Sequence, residues 1–237
     1  MRKGWSATWL WLGASAAGLA GELTPTEVRW LQGVAPVVAY AKENRIPLDI
    51  VVQPQDAPGA APLSLGFVGG RCKLVLSMRG NPEAQATLER IDADLLDATL
   101  ELMAAHELGH CQRYLDGTRH GLPAGFVARE PAALGREDRQ AYVQMRSTRR
   151  EEAFADLVGL AWVQQRHAPL YERLHRWLRN ERSRDLIPGA HHDTLAWIEL
   201  ARDGRALAGA SVGLNRLPRR CNPSPVSLRV QQRVCAR

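Results

Sequence analysis

Apolar residues recur along this chain at helical and at alternating spacing, and the breaks between the two are well marked. Trp30, Leu31, Val34, Val37, Val38 and Ala41 form one helical stripe. Thr24-Pro25-Thr26-Glu27 just before it reads as a capping box with proline at the first helical position, which predicts a helix from Pro25 to about Asn44. A strand is expected near Leu48 to Val52, then a Pro-, Gly- and Ala-rich loop over Gln53 to Pro62. Leu63 to Val68 and Arg71 to Met78 flank Gly69-Gly70, a strong hairpin signal. Asp94 to Asp116 reads as one helix, apolar nearly all round at its start (Leu95, Leu96, Ala98, Leu100, Leu102, Met103) and ended by Gly117, so it belongs in a core.

The stretch from Thr118 to Arg146 holds Gly121, Pro123, Gly125, Pro131 and Gly135 without a clear period. It is expected to be a long connection, either a lid or wall over a cleft or a plain insertion. A strongly helical run then opens at Arg149-Arg150-Glu151 and continues through Leu157, Leu160, Ala161 and Trp162. Pro169 starts another, carrying Leu170, Leu174, Trp177 and Leu178, and a final helix over Asp193 to Arg202 follows Pro188-Gly189-Ala190-His191-His192. The pattern contains no internal repeat, and residues 205–237 form an Arg-rich tail. The expected class is α+β: a small sheet with a hairpin packed on a central helix, and a mostly helical C-terminal half.

The N-terminus changes the picture. Arg2 and Lys3 precede an apolar stretch from Trp5 to Ala20 that ends in the small-x-small site Gly18-Leu19-Ala20, so residues 1–20 read as a secretory signal with cleavage before Gly21. The stretch is short of the roughly 20 residues of a membrane span, and charges interrupt every later apolar run. Residues 21–237 are then a single domain, expected outside the cytoplasm, in the periplasm or secreted. The four cysteines, Cys72, Cys111, Cys221 and Cys235, are an even set that would oxidise there. Four allow three connectivities; Cys72 to Cys111 would tie a strand to the central helix, and Cys221 to Cys235 would close a Pro-containing loop. The formal charge of +6 includes Arg2 and Lys3, leaving +4 once they are removed. The arginines are scattered and lack a basic and aromatic platform, which argues against nucleic-acid binding and supports only a mild preference for an acidic partner or the cell envelope. No oligomeric state follows from the pattern.

Within the central helix stands His106-Glu107-Leu108-Gly109-His110. Residues four apart share a helix face, so both imidazoles can reach one metal ion, with Glu107 beside them as a proton acceptor. A catalytic zinc usually takes three protein ligands and keeps one position for water. Glu152 and Asp156 are also four apart on the downstream helical run. Glu152 can supply the third ligand while Asp156 accepts the free ring N–H of a ligating histidine. Cys111 follows His110 and so points about 100° away around the helix, which favours a structural role. His120 is a back-up ligand; His167 and His175, in charged helical context, read as surface residues.

HELGH at 106–110 together with Glu152-Ala-Phe-Ala-Asp156 resembles the gluzincins, the thermolysin-like clan of zinc metallopeptidases. The likeness covers the stretch from the first strand to the second motif helix. It implies a zincin-like core, His106, His110 and Glu152 as ligands of one zinc, Glu107 as general base and Asp156 as the carboxylate that orients a histidine. A metzincin would need Gly at 113 and His at 116, where this chain has Arg113 and Asp116; an aspzincin-like pattern fails at His120. The implied reaction is hydrolysis of peptide bonds in a peptide or protein substrate by activated water. The oxyanion would need a further donor, for which His191 or His192 is the candidate and Tyr142 a rival. Two other readings stay open at this point: a zinc-stabilised envelope or secretion-system component without turnover, and a hydrolase of non-peptide amides such as those of cell-wall material.

Overall fold

The computed structural model describes residues 22–55, 57–118, 135–184, 186–205 and 207. The expected signal segment 1–20, His120, Cys221, Cys235 and the residues beyond 207 lie outside them. Helix α1 (Pro25–Glu43) starts with the expected box: Thr24 Oγ1 accepts from the Glu27 N–H at 3.2 Å, and the Glu27 carboxylate accepts from the Thr24 N–H at 2.7 Å. Its stripe buries Trp30, Val34, Val37 and Ala41. Strands β1 (Leu48–Pro54), β2 (Leu63–Val68) and β3 (Arg71–Arg79) form one sheet in the order β1-β3-β2. The pairing is parallel between β1 and β3 and antiparallel across the β2–β3 hairpin. Gly69 and Gly70 make the hairpin turn with φ of 59° and 74°, values that favour residues without a Cβ.

A short helix that the apolar pattern does not announce, α2 (Pro82–Glu89), follows with Asn81 as its cap; its Ala84 carbonyl accepts from buried Trp30 Nε1 at 2.9 Å. The central helix α3 (Leu96–Leu115) packs on α1 on one side, on β2 and β3 on another, and on α4 (Arg136–Arg166) along most of its length. Gly33 of α1 lets the two helices close, since a Cβ there would lie 2.2 Å from Leu100 Cδ1. Chain direction then reverses through a single 3-10 turn at Ala168–Leu170 into α5 (Tyr171–Ser183) and the short α6 (Leu195–Leu200).

Three expectations need correction. The connection after Gly117 is shorter than 118–146, because α4 begins at Arg136. Residues 136–150 bury no apolar side chain, so they carry no apolar period; they are helical because Arg, Glu, Gln and Met favour helix and because the packed half from Glu151 onward extends them. The last helix is six residues, Leu195–Leu200, rather than 193–202. His175 is buried rather than on the surface, where its Nε2–H donates to the Ile198 carbonyl at 2.9 Å. It shares the α5 face of Tyr171, Leu174 and Leu178, so the periodicity contained its burial even though its neighbours are charged.

A candidate metal centre between α3 and α4

Two glycines bring the two motif helices together. A Cβ on Gly109 would meet Val158 Cβ at 3.2 Å and Ala155 Cα at 3.3 Å, and one on Gly159 would lie 2.9 Å from the Leu102 carbonyl oxygen. At that crossing His106 and His110 of α3 face Glu152 of α4. The Nε2 atoms of the histidines are 3.2 Å apart, His106 Nε2 is 3.5 Å from Glu152 Oε2, and His110 Nε2 is 3.4 Å from Glu152 Oε1. These three residues offer donor atoms close enough together to hold one metal ion.

Behind the triad the polar groups are tightly satisfied. His106 Nδ1–H donates to Asp156 Oδ1 at 2.9 Å, which turns Nε2 toward Glu152 and His110. Asp156 is wholly buried and accepts from Arg182 Nε (3.0 Å) and NH2 (2.6 Å) and from Thr194 Oγ1 (2.6 Å). Arg182 comes from the end of α5 and Thr194 from the turn into α6, and neither belongs to a local motif. Buried Asp156 requires partners; which of the chain's many arginines would serve is not written near it. A second buried pair works next door. Arg113 donates twice to Glu151, at 3.1 and 3.2 Å, fixing the residue before Glu152 to the C-terminal turn of α3.

Charge in the pocket is poised for a cation. Burial pushes the Asp156 carboxyl up, but the Arg182 guanidinium and the His106 bond outweigh it and hold the group well below the usual carboxylate range. Glu152 is likewise held low, against burial, by His106 and His110. Burial favours neutral His106, yet Asp156 and Glu152 raise its pKa to about 10, so in the absence of a metal a proton occupies the place. Glu107 moves the other way: burial lifts its carboxyl above the ordinary value despite the nearby His106 and His110 rings. Carboxylates of Glu107, Glu152 and Asp156 share the Arg182 guanidinium, which is committed to Asp156 by two hydrogen bonds. A divalent ion would restore the balance and displace the His106 proton.

Of the two histidines expected to assist, His192 is the one near the triad, with Nε2 3.7 Å from Glu152 Oε2; the His191 ring lies against it, with centroids 4.0 Å apart and planes tilted by 55°. Partial desolvation and Arg182 lower the His192 pKa, so its ring is neutral at pH 7. Tyr142 sits on α4 beneath the Arg146 guanidinium, at 5.6 Å. The Cys72–Cys111 disulfide is present, both residues fully buried, and it ties the start of β3 to α3 one residue after His110. A disulfide, and the lack among the described residues of any helix long and apolar enough to cross a membrane, are compatible with an extracytoplasmic place. Phe67 of β2 stacks on Tyr114 of α3, with centroids 4.9 Å apart, which sets this edge strand against the motif helix. Comparison with protein families, with curated proteins and with solved structures finds no match for this chain.

Proposed function

We propose that this chain is an exported zinc-dependent metallopeptidase of gluzincin type. The observation that carries the reading is the donor triangle. Tetrahedral zinc with bonds of about 2.05 Å requires ligand atoms about 3.3 Å apart; the two imidazole Nε2 atoms are 3.2 Å apart, and each faces its own oxygen of Glu152, Oε2 at 3.5 Å from His106 and Oε1 at 3.4 Å from His110. The donor set of two imidazoles and one carboxylate is that of hydrolytic zinc sites, and Asp156 on His106 Nδ1 supplies the orienting bond such sites use. A zinc ion held there supplies Lewis-acid polarisation of a carbonyl and lowers the pKa of a water toward about 7.

The remaining work falls to the chain's own groups. Glu107 follows His106 directly, and its raised pKa suits a group that takes a proton from the attacking water and passes it to the leaving amine. Neutral His192 offers an N–H to the oxygen on which charge develops. Arg182 and Thr194 hold Asp156, which holds His106 in one tautomer. Among the described residues β2 pairs only with β3, so its outer edge can take an extended peptide as an added strand.

The test replaces Glu107 by Gln, which keeps size and most hydrogen bonding. Zinc content and melting temperature should stay near wild type while cleavage of a mixed peptide library falls by at least about 100-fold. Equal cleavage by both proteins would remove Glu107 from the mechanism. No cleavage by either, with zinc bound, would favour a zinc-stabilised scaffold.

A further inference from the structure

One arginine beside the triad is placed unlike the others. Arg149 lies one turn before Glu152 on α4, on the same face of the helix, and its side chain is only 11% exposed. A guanidinium carries five N–H donors, and when buried it ordinarily has acceptors in reach. Arg113 and Arg182, at 8% and 15% exposure, each donate twice to a carboxylate. The carboxylate nearest Arg149 is that of Asp193, whose Oδ2 is 3.6 Å away, beyond hydrogen-bond reach, and already accepts from the Gly189 N–H at 2.8 Å. Its neighbours add charge without consuming it. Arg146 stacks over Tyr142, and Arg150 has a buried Nε with no acceptor; among the described residues neither forms an ion pair. The turn of α4 leading to Glu152, next to the His192–Asp193 segment, therefore holds cationic donors in excess of acceptors.

We propose that Arg149 anchors a carboxylate subsite, so that the preferred substrates are peptides bearing an acidic group near the bond that is cut. The inference rests on the peptidase reading for its substrate class, and on Arg149's surroundings for its chemistry. A guanidinium fork matches a carboxylate with two parallel hydrogen bonds. That carboxylate can be an acidic side chain or the free C-terminus of a short peptide, and the two sources are separable.

The probes are fluorescein-labelled peptide pools in matched pairs. One pair has Glu or Gln at a fixed position, and the other has a free or an amidated C-terminus. Binding is measured by anisotropy on the zinc-loaded Glu107→Gln protein, so that cleavage does not interfere. At least one carboxylate pool should bind about 10-fold or more tighter than its neutral partner, the range expected for a charged hydrogen-bond pair. Whichever pair responds names the source. Adding Arg149→Gln should reduce that preference to within about 2-fold, whereas Arg176→Gln, on the exposed face of α5, should keep it. Equal binding within both pairs, no binding of any pool, or a preference that survives Arg149→Gln overturns the proposal. If Arg149→Gln does not fold, Arg149→Lys keeps the charge without the fork and has to weaken the preference; full preference in that variant overturns it. Cleavage of no pool by the wild-type protein counts against the peptidase reading and leaves the binding result standing.

Discussion

Replacing Asp156 by Asn changes one buried charge and almost no volume, and the site predicts two separate losses. Asp156 accepts four hydrogen bonds, one from His106, two from Arg182 and one from Thr194. An amide keeps one oxygen but turns the other acceptor into a donor, facing groups that themselves donate. Arg182, 15% exposed, is left with Glu152 at 3.7 Å as its remaining carboxylate. Breaking one partner from a buried pair costs about 3–5 kcal/mol. Glu152 and the residual exposure place the cost near the lower end, about 3 kcal/mol, which in a domain of this size lowers Tm by roughly 6–12 °C. Loss of the orienting bond to His106 should also weaken zinc binding by about 10- to 100-fold. Thr194→Val is the control: it removes one donor and leaves the charge, for about 1 kcal/mol and roughly 2–4 °C. Tm is measured with chelator present, so that the structural loss is separate from metal linkage, and zinc affinity by competition with a chromophoric chelator. An Asp156→Asn protein that binds zinc as tightly as wild type refutes the orienting role. A Tm loss no larger than that of Thr194→Val refutes the charge argument.

Three further outcomes can be measured. Replacing Cys72 and Cys111 together by Ala removes a cross-link between residues 39 apart, worth about 4 kcal/mol in the chain-entropy account; the urea midpoint should fall accordingly, and an unchanged midpoint would mean the tie contributes nothing. In metal-free protein, His106 has a pKa raised to about 10, so its contribution to stability is complete below the unfolded value of about 6.5 and fades as pH rises toward 10. Metal-free Tm should therefore decline over that window and the decline should vanish in His106→Asn. Calorimetry in buffers of different ionisation enthalpy should show proton release on zinc binding at pH 8, and a proton-neutral titration would contradict it.

What could be read from the sequence follows from how local each cause is. The α1 cap, the Gly69-Gly70 turn and the four-residue spacings within α3 and α4 are each settled by residues adjacent in the chain, and each stands as expected. Asn81-Pro82-Glu83 is a start signal of the same local kind for α2, but the helix behind it buries only Ala84 and Thr87, too little to show a stripe. The charged half of α4 shows none for the stronger reason that it buries no apolar side chain. Arg182 and Thr194 reach Asp156 from 26 and 38 residues downstream, and no spacing rule connects a carboxylate on one helix to the end of another. The motif's own Gly109 marks where the two scales meet. Within the pentapeptide it reads as a permissive position between ligands, yet in the fold its missing Cβ is what admits Ala155 and Val158. Each helix carries its half of the ligand set in local spacing; the approach that turns two halves into one triangle depends on Gly109 and Gly159, residues that bind nothing.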